Sequence, residues 1–295
     1  MGLYLGSEHV QPIGYNTIID TSEALPIIKG TISGIYENSE ISYIGSHAFE
    51  RCYSLSSVNF SNCTAIYSCA FRSCTKMTSI SFPMCTFVDS CAFQNCYSLT
   101  SAIFPNCSII SGYAFANCSY LSSISFPLCT IVGDHAFEYC YYSLSLVSLS
   151  LCTSIGSHAF TCCSQLTTVN FPVCNTISTY AFAQCLVLSS VSFPNCTFVG
   201  ASAFYSCTLL SCIKLPVCVS IEQNAFASCF NLISLYLNSI SSVPRLSANV
   251  FSSTPIGGYS TSAGRYGSIF VPASLYSSFL TASYWSLVKQ RIVSL

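Results

Sequence analysis

Apolar and polar positions recur along this chain with a period of 22 residues. Nine Ala-Phe pairs, ending at Phe49, Phe71, Phe93, Phe115, Phe137, Phe160, Phe182, Phe204 and Phe226, follow one another at that spacing, with one step of 23. Counted from each Phe, Cys falls at +3, Leu at +6, Val or Ile at +9, Phe or Leu at +11, Cys at +14, Ile or Val at +17 and Ala at +21. The second repeat reads Phe71, Cys74, Met77, Ile80, Phe82, Cys85, Val88 and Ala92, with Met77 in the place of Leu. A fixed period in this range is the signature of a solenoid, whose repeats bury their apolar faces only against their neighbours. Near the end of the +6 to +11 segment apolar and small polar residues alternate, as in Ile80-Ser81-Phe82, which predicts a short strand. Pro83, Pro105, Pro127, Pro172, Pro194 and Pro216 follow at +12. Lacking an N–H, a proline there ends the strand and turns the chain. Each of about ten coils is therefore expected to supply a strand to a parallel sheet, a turn, and a short irregular or helical return around Ala-Phe.

The pattern degenerates at both ends, which sets the expected domains: an N-terminal cap over 1–40, the solenoid over 41–256, and a C-terminal cap over 257–295. Ile41 and Ile44 already occupy +14 and +17 of a degenerate first coil, with Ile32 to Tyr36 as a first strand. After Phe226, Ile240 replaces the +14 Cys and the next Phe, Phe251, arrives 25 residues on. A Gly/Ser-rich loop, Gly257 to Ser268, leads to a last strand at Ser268–Val271. Ala273 to Ile292 carries Leu275, Phe279, Leu280, Trp285, Leu287, Val288 and Ile292. That spacing predicts a helical cap, broken near Ser283, that shields the last coil.

Only 6% of the residues are charged and the net charge is -1. This leaves no electrostatic footprint for nucleic acid and no polybasic stretch for an anionic membrane. Solubility then falls to Ser, Thr, Asn and Tyr, and weak repulsion between copies makes self-association an expectation. No apolar run approaches the roughly 18 residues of a membrane span. The start, Met1-Gly2-Leu3-Tyr4-Leu5-Gly6, has neither the basic segment nor the long apolar segment of a secretory leader.

The block Ile155-Gly156-Ser157-His158-Ala159-Phe160, followed by Cys163, Leu166, Val169 and Phe171-Pro172, resembles the BspA-type leucine-rich repeat, also called Treponema-type, which reads roughly IGxxAFxxCxxLxxIxIP. The resemblance runs from about residue 41 to 251 and departs from the family in a repeat one residue shorter than usual and in Cys at the +14 apolar position. Ser268-Ile269-Phe270-Val271-Pro272 and Tyr284-Trp285-Ser286 resemble the tail that closes such bacterial arrays. What the resemblance implies is an α/β solenoid: a right-handed leucine-rich-repeat coil stack with a parallel sheet on one face, capped at both ends. It also implies an extracellular or surface interaction module, as in bacterial adhesins that bind host matrix proteins or other cells, or in arrays found beside phage tail genes. It brings no catalytic residues and no cofactor, and the same repeat serves many partners.

Of the 21 cysteines, nine sit at +3 and eight at +14. Neighbouring coils would bring like cysteines within disulfide range. The repeats nevertheless tolerate Ile240 at +14 and Thr254 at +3, as packing does and a bridge network does not. The expectation is buried thiols acting as small apolar fillers, consistent with folding in a reducing compartment. Cys69, Cys91, Cys162 and Cys212 lie off those columns. The +20 column runs His47, Cys69, Cys91, Tyr113, His135, His158, Tyr180. Three coils spread His47 and Cys91 nearly ~10 Å apart, too far for one zinc ion, so no metal is expected there. A Cys69–Cys91 disulfide under oxidising conditions stays open.

Catalysis finds no footing in the spacing. Asp134, His135 and Glu138 cluster locally, but no paired acid and base, activated nucleophile, GxSxG elbow or phosphate-binding loop emerges. Recognition fits better. Outward strand positions are nearly all hydroxyl or amide, as in Thr78, Ser79 and Ser81, which suits solubility. The ridge at +1, +2, +4 and +5 varies more, and carries Glu50, Arg51, Tyr53, Arg72, Lys76, Tyr97, Tyr120, Glu138, Tyr139, Tyr141, Tyr142 and Tyr205 as candidate contact residues for a protein or glycan. Tyr among Ser and Asn supplies rigid amphipathic area with adaptable hydrogen bonding around it. The densest patch, Tyr139-Cys140-Tyr141-Tyr142, falls in the one repeat with an inserted residue.

Overall fold

A computed structural model describes residues 3–5, 8–10, 18–19, 33–258 and 264–295. The chain is a parallel-strand solenoid with little helix, of about twelve turns among the described residues. The turns beyond the expected ten come from the ends, where degenerate coils stack strands without the Ala-Phe motif. The chain divides into two compact units, Met1–Leu144 and Ser145–Leu295.

In the first unit, Gly34–Glu37, Leu55–Asn59, Ser79–Ser81, Ser101–Ile103 and Ser123–Ser125 form a five-stranded parallel sheet in chain order. In-register pairing sets Ile80 beside Ala102 and Ala102 beside Ile124, so the +9 positions make one inward column while the serines on either side face out. A second parallel row consists of the two-residue strands Ile18–Ile19, Tyr43–Ile44, Ala65–Ile66, Phe87–Val88, Ile109–Ile110 and Ile131–Val132. Leu3–Leu5 pairs antiparallel with Glu8–Val10. The rest of the stretch expected as an N-terminal cap, Ile32 included, lies outside the described residues up to residue 33.

The second unit repeats the plan. Leu146–Ser148, Thr168–Asn170 and Ser190–Ser192 form one parallel sheet. Cys212–Lys214, Ser234–Tyr236, Ser268–Val271 and Ile292–Ser294 form another. Its second row runs Ser154–Ile155, Thr176–Ile177, Phe198–Val199, Ser220–Ile221 and Arg245–Leu246.

Each coil carries a second strand beyond the one expected, and of the two returns expected, irregular or helical, it has the irregular one. The +16/+17 strand is too short for alternation to register in the sequence, since only its second residue is buried. The return around Ala-Phe is a run of tight turns. Within a coil, the N–H groups of Ala70, Arg72 and Cys74 donate back to the carbonyls of Tyr67, Cys69 and Phe71. The intervening N–H groups of Cys69, Phe71 and Ser73 instead reach the next coil, donating to Ser90, Ala92 and Gln94 at 3.0, 2.7 and 2.8 Å. Every N–H of the motif is thus used, half of them to zip one coil onto the next.

This alternation demands left-handed backbone at two places per repeat. His47 and Arg51, Cys69 and Ser73, Cys91 and Asn95, and so on to Asn249 and Ser253, all have φ between 55° and 63°. None of them is Gly, and none is Val, Ile, Thr or Pro. A left-handed residue costs roughly 1–2 kcal/mol, least for Asn, and branching at Cβ makes it worse. Ser73→Val is therefore expected to lower stability by about 1–2 kcal/mol, whereas Ser73→Asn holds or raises it. Urea titration of the two variants checks this, and equal midpoints would show that the column imposes no backbone constraint.

The core between the strand rows is built of aromatic ladders. Phe49, Phe71, Phe93, Phe115 and Phe137 stack face to face at 5.0 to 5.4 Å between ring centroids, within 7° of parallel. A second ladder, Phe60, Phe82, Phe104 and Phe126 at +11, meets the first at steep angles, as in Phe115–Phe126 at 5.6 Å and 70°. Offset-stacked and edge-to-face pairs are the favoured aromatic arrangements.

Thiols satisfy carbonyls beside these ladders. At +3, the Sγ of Cys74, Cys96, Cys118, Cys185, Cys207 and Cys229 donates to the carbonyl of the Phe one coil back, at 3.0 to 3.2 Å. At +14, Cys85, Cys107 and Cys174 donate to the carbonyl two residues on. Thr254, at +3 of the last repeat, donates its hydroxyl instead to the carbonyl of Phe251 in its own coil, at 2.7 Å. Eighteen of the 21 cysteines are buried as thiols, leaving Cys91, Cys162 and Cys212 part-exposed. Burial pushes the Cys96 and Cys229 thiols up to about 12, so they stay protonated and act as donors.

At the C-terminus a 3-10 turn at Ala273–Leu275 leads into a six-residue α-helix, Tyr276–Thr281. The chain breaks at Ala282–Tyr284, where Tyr284 has φ 60°, and continues as a 3-10 segment, Trp285–Arg291. The expected helix thus ends early, and Ile292 pairs as a strand residue against Ile269.

Candidate functional site

The ridge that flanks each Phe is positioned by the left-handed residues, which turn side chains at +2 and −2 outward in register. At the first coil these side chains bind one another. Glu50 is 8% exposed, and its carboxylate accepts from Arg72 at 2.6 Å and bonds His47 Nδ1 at 2.7 Å, with Arg51 at 3.8 Å. Burial alone would raise the Glu50 carboxyl, but the His47 hydrogen bond and the charges of Arg72, His47 and Arg51 outweigh it and hold it below the usual range. Glu50 thus clamps coil to coil, while Arg51 and Lys76 remain exposed beside it. His47 was not among the residues expected to matter. Its signal is the tetrapeptide His-Ala-Phe-Glu, which recurs at His135-Ala136-Phe137-Glu138 with the same bond at 2.8 Å.

The aromatic members separate into one cluster and several outliers. Tyr120 and Tyr142, on adjacent coils, meet at 5.2 Å between ring centroids. Tyr142 meets Tyr141 at 5.9 Å, and Tyr141 meets Tyr139 at 5.3 Å. The inserted residue makes this possible. It lengthens the turn after Cys140 to Tyr141-Tyr142-Ser143, and the Tyr142 N–H is anchored on the Ser119 carbonyl at 2.9 Å. Tyr142 is left 62% exposed and Tyr120 53%. Tyr53 and Tyr97 are exposed on their own coils outside this cluster, and Tyr205 lies in the second unit.

A depression lined by Val217, Val219, Ile240 and Ser242 holds about 110 Å³, well below the several hundred of a small-molecule site. No helix among the described residues is long and apolar enough to cross a membrane.

Coils of parallel strands closed by Ala-Phe turns, with Leu, Ile and Val columns inward, define a leucine-rich-repeat solenoid. The chain belongs to the family described as the BspA type leucine rich repeat region, whose model matches in six copies over residues 29–144 and 130–256. Leucine-rich repeat proteins are typically surface or protein-interaction modules and generally not enzymes. Among solved structures, a leucine-rich repeat protein from Bacteroides ovatus is 20% identical over 90% of this chain and 84% of its own, with a TM-score of 0.47. A leucine rich cell surface protein from Faecalibacterium prausnitzii is 23% identical over 76% and 71%, with a TM-score of 0.40. A leucine-rich repeat protein from T. pallidum is 24% identical over 59% and 71%, with a TM-score of 0.43. No curated protein matches the chain.

Proposed function

We propose that this chain is a non-enzymatic recognition module that binds a protein or glycan through the ridge beside its Ala-Phe turns, on a cell surface or a virion tail. The observation that carries this reading is the tyrosine cluster of Tyr120, Tyr139, Tyr141 and Tyr142. It presents large apolar area with hydroxyl edges, at a site built by the one insertion in the eight steps between the nine Ala-Phe pairs. Exposed aromatic area with little side-chain entropy to lose is the usual anchor of a binding surface. Arg51, Arg72, Lys76, Tyr53, Tyr97 and Glu138 extend the same ridge along the first unit and supply polar contacts around the anchor.

The test uses the full chain against printed glycans and purified extracellular-matrix proteins. The double variant Tyr120→Ala/Tyr142→Ala is expected to lose about tenfold or more in affinity for whatever the native chain captures, with an unchanged unfolding midpoint. Binding undiminished in the double variant, or no capture by the native chain above an albumin control, would overturn the reading.

A further inference from the structure

The column two residues before each Phe is half-buried to exposed except at Cys69 and Ser202, which are buried, and carries His, Tyr, Ser or Asn except in the second and third Ala-Phe repeats, where it carries Cys69 and Cys91. These two thiols stand on adjacent coils in register. Both have left-handed backbone, φ 56° and 58°, and their N–H groups make equivalent bonds to the next coil, each at 3.0 Å. Side chains in this column touch their neighbours: one step further along, the rings of Tyr113 and His135 stack at 4.3 Å. The inter-coil repeat of about 4.8 Å lies inside the roughly 4.4–6.8 Å Cα window for a disulfide. Cys69 is buried, with the Arg72 guanidinium 3.9 Å and the Ser68 hydroxyl 3.6 Å from its sulfur, while Cys91 is part-exposed. The pair therefore has one sulfur that a reagent can reach and one beneath it to complete the reaction. The thiols of the two core columns differ, being buried and bonded to carbonyls.

We propose that Cys69 and Cys91 are a redox pair that exchanges with low-molecular-weight disulfides to form a disulfide between adjacent coils. The Cys91 thiolate attacks one sulfur of oxidised glutathione, the S–S bond breaks, and one glutathione leaves and takes up the proton that Cys91 gave. Cys69 then loses its proton and attacks the Cys91 sulfur of the mixed disulfide, expelling the second glutathione, which takes that proton. Two protein thiols are oxidised and one glutathione disulfide is reduced to two thiols. Burial, then the neighbouring Cys69 thiol, pushes the Cys91 thiol up to about 11. At neutral pH little thiolate is present, so the exchange is slow and accumulates with time in an oxidising medium. The product staples two coils of the first unit, at a position where no Ala-Phe contact has to move.

The test incubates the native full chain with excess oxidised glutathione at pH 9, blocks remaining thiols in denaturant, and maps peptides without reduction. Cleavage after Phe and Tyr isolates Ser68–Phe71 and Val88–Phe93, each with one cysteine. The expected result is these two peptides joined, formed about a hundredfold faster at pH 9 than at pH 7. Cys212, part-exposed and with Ser190 and Ser234 at its position on the coils to either side, is expected to stop at the mixed disulfide with glutathione. Cys69→Ser is expected to leave Cys91 there too. A stable glutathione adduct on Cys91 in the native chain, both cysteines recovered blocked by the alkylating agent, or Cys91 joined to a second copy of the chain would each overturn the proposal.

Discussion

Phe115→Ala is expected to lower the stability of the chain by about 3–5 kcal/mol, the cost of removing a fully buried aromatic ring from a core that cannot collapse into the hole. Phe115 sits in the middle of the first unit's ladder, stacked on Phe93 at 5.3 Å and Phe137 at 5.4 Å. It also meets Phe104 and Phe126 of the second ladder edge-on, at 6.0 and 5.6 Å. Its removal strips contacts from four neighbours at once, while the coils above and below stay zipped by backbone hydrogen bonds that resist closing the gap. In a stack whose stability is a sum of nearest-neighbour interfaces, weakening one central interface also weakens the coupling between the coils on its two sides. Thermal and urea unfolding of the variant should therefore show a broader transition as well as a lower midpoint. Phe115→Leu, which refills most of the volume, should recover much of the loss. A shift of less than about 1 kcal/mol for the alanine variant would mean that the ladder is not the element holding these coils together.

The spacing of Phe115 and its equivalents was enough to read the fold, because a residue buried against identical neighbours has few acceptable substitutes. The columns of Cys118 and Cys107 read as packing because they admit Thr254 and Ile240, although the S–H to carbonyl bonds that favour Cys over Ala could not be read from spacing. The second strand row escaped notice because a pair such as Phe87–Val88 buries one side chain only, and one buried residue has no period. The return stayed open between an irregular and a helical shape for a physical reason as well. Ala-Phe followed by polar residues is compatible with a helical turn, and the left-handed residues at −2 and +2 announce themselves only by what is missing from their columns. That absence changes how the ridge is read. Its variety at Arg51, Tyr139 and Cys162 is variety among residues that tolerate φ near 60°, so difference between repeats there is no measure of recognition by itself. The +1 and +5 positions carry no such constraint, and Glu50, which pairs with His47, and the meeting Tyr120 and Tyr142 all stand there. Which ridge residues cluster depended on one inserted residue in a turn, a geometric consequence that hydrophobic patterning does not encode.

Trp285→Ala should be as damaging as the loss of a central Phe, and by a second mechanism. Trp285, the single tryptophan of the chain, is fully buried in the C-terminal segment expected to act as a cap. Its ring packs edge-on to Phe279 at 4.9 Å and against Phe251 at 6.2 Å, and Phe251 in turn stacks on Phe226. Its indole N–H donates to the Pro244 carbonyl at 2.7 Å. The side chain thus joins the tail to the end of the Phe ladder, and truncation is expected to cost about 3–5 kcal/mol through the cavity alone. Loss of the cap would also bare the last coil, and an uncapped solenoid end is an apolar, strand-edged surface prone to pair with another copy. The variant should therefore unfold earlier and associate as its concentration rises, which sedimentation velocity would detect. Trp285→Phe separates the two contributions. It keeps most of the apolar contact but leaves the buried Pro244 carbonyl without its donor, which costs about 1–3 kcal/mol. That variant should lose stability without gaining self-association. If instead Trp285→Ala stays monomeric at high concentration, the cap contributes packing energy to this chain and does not protect its end.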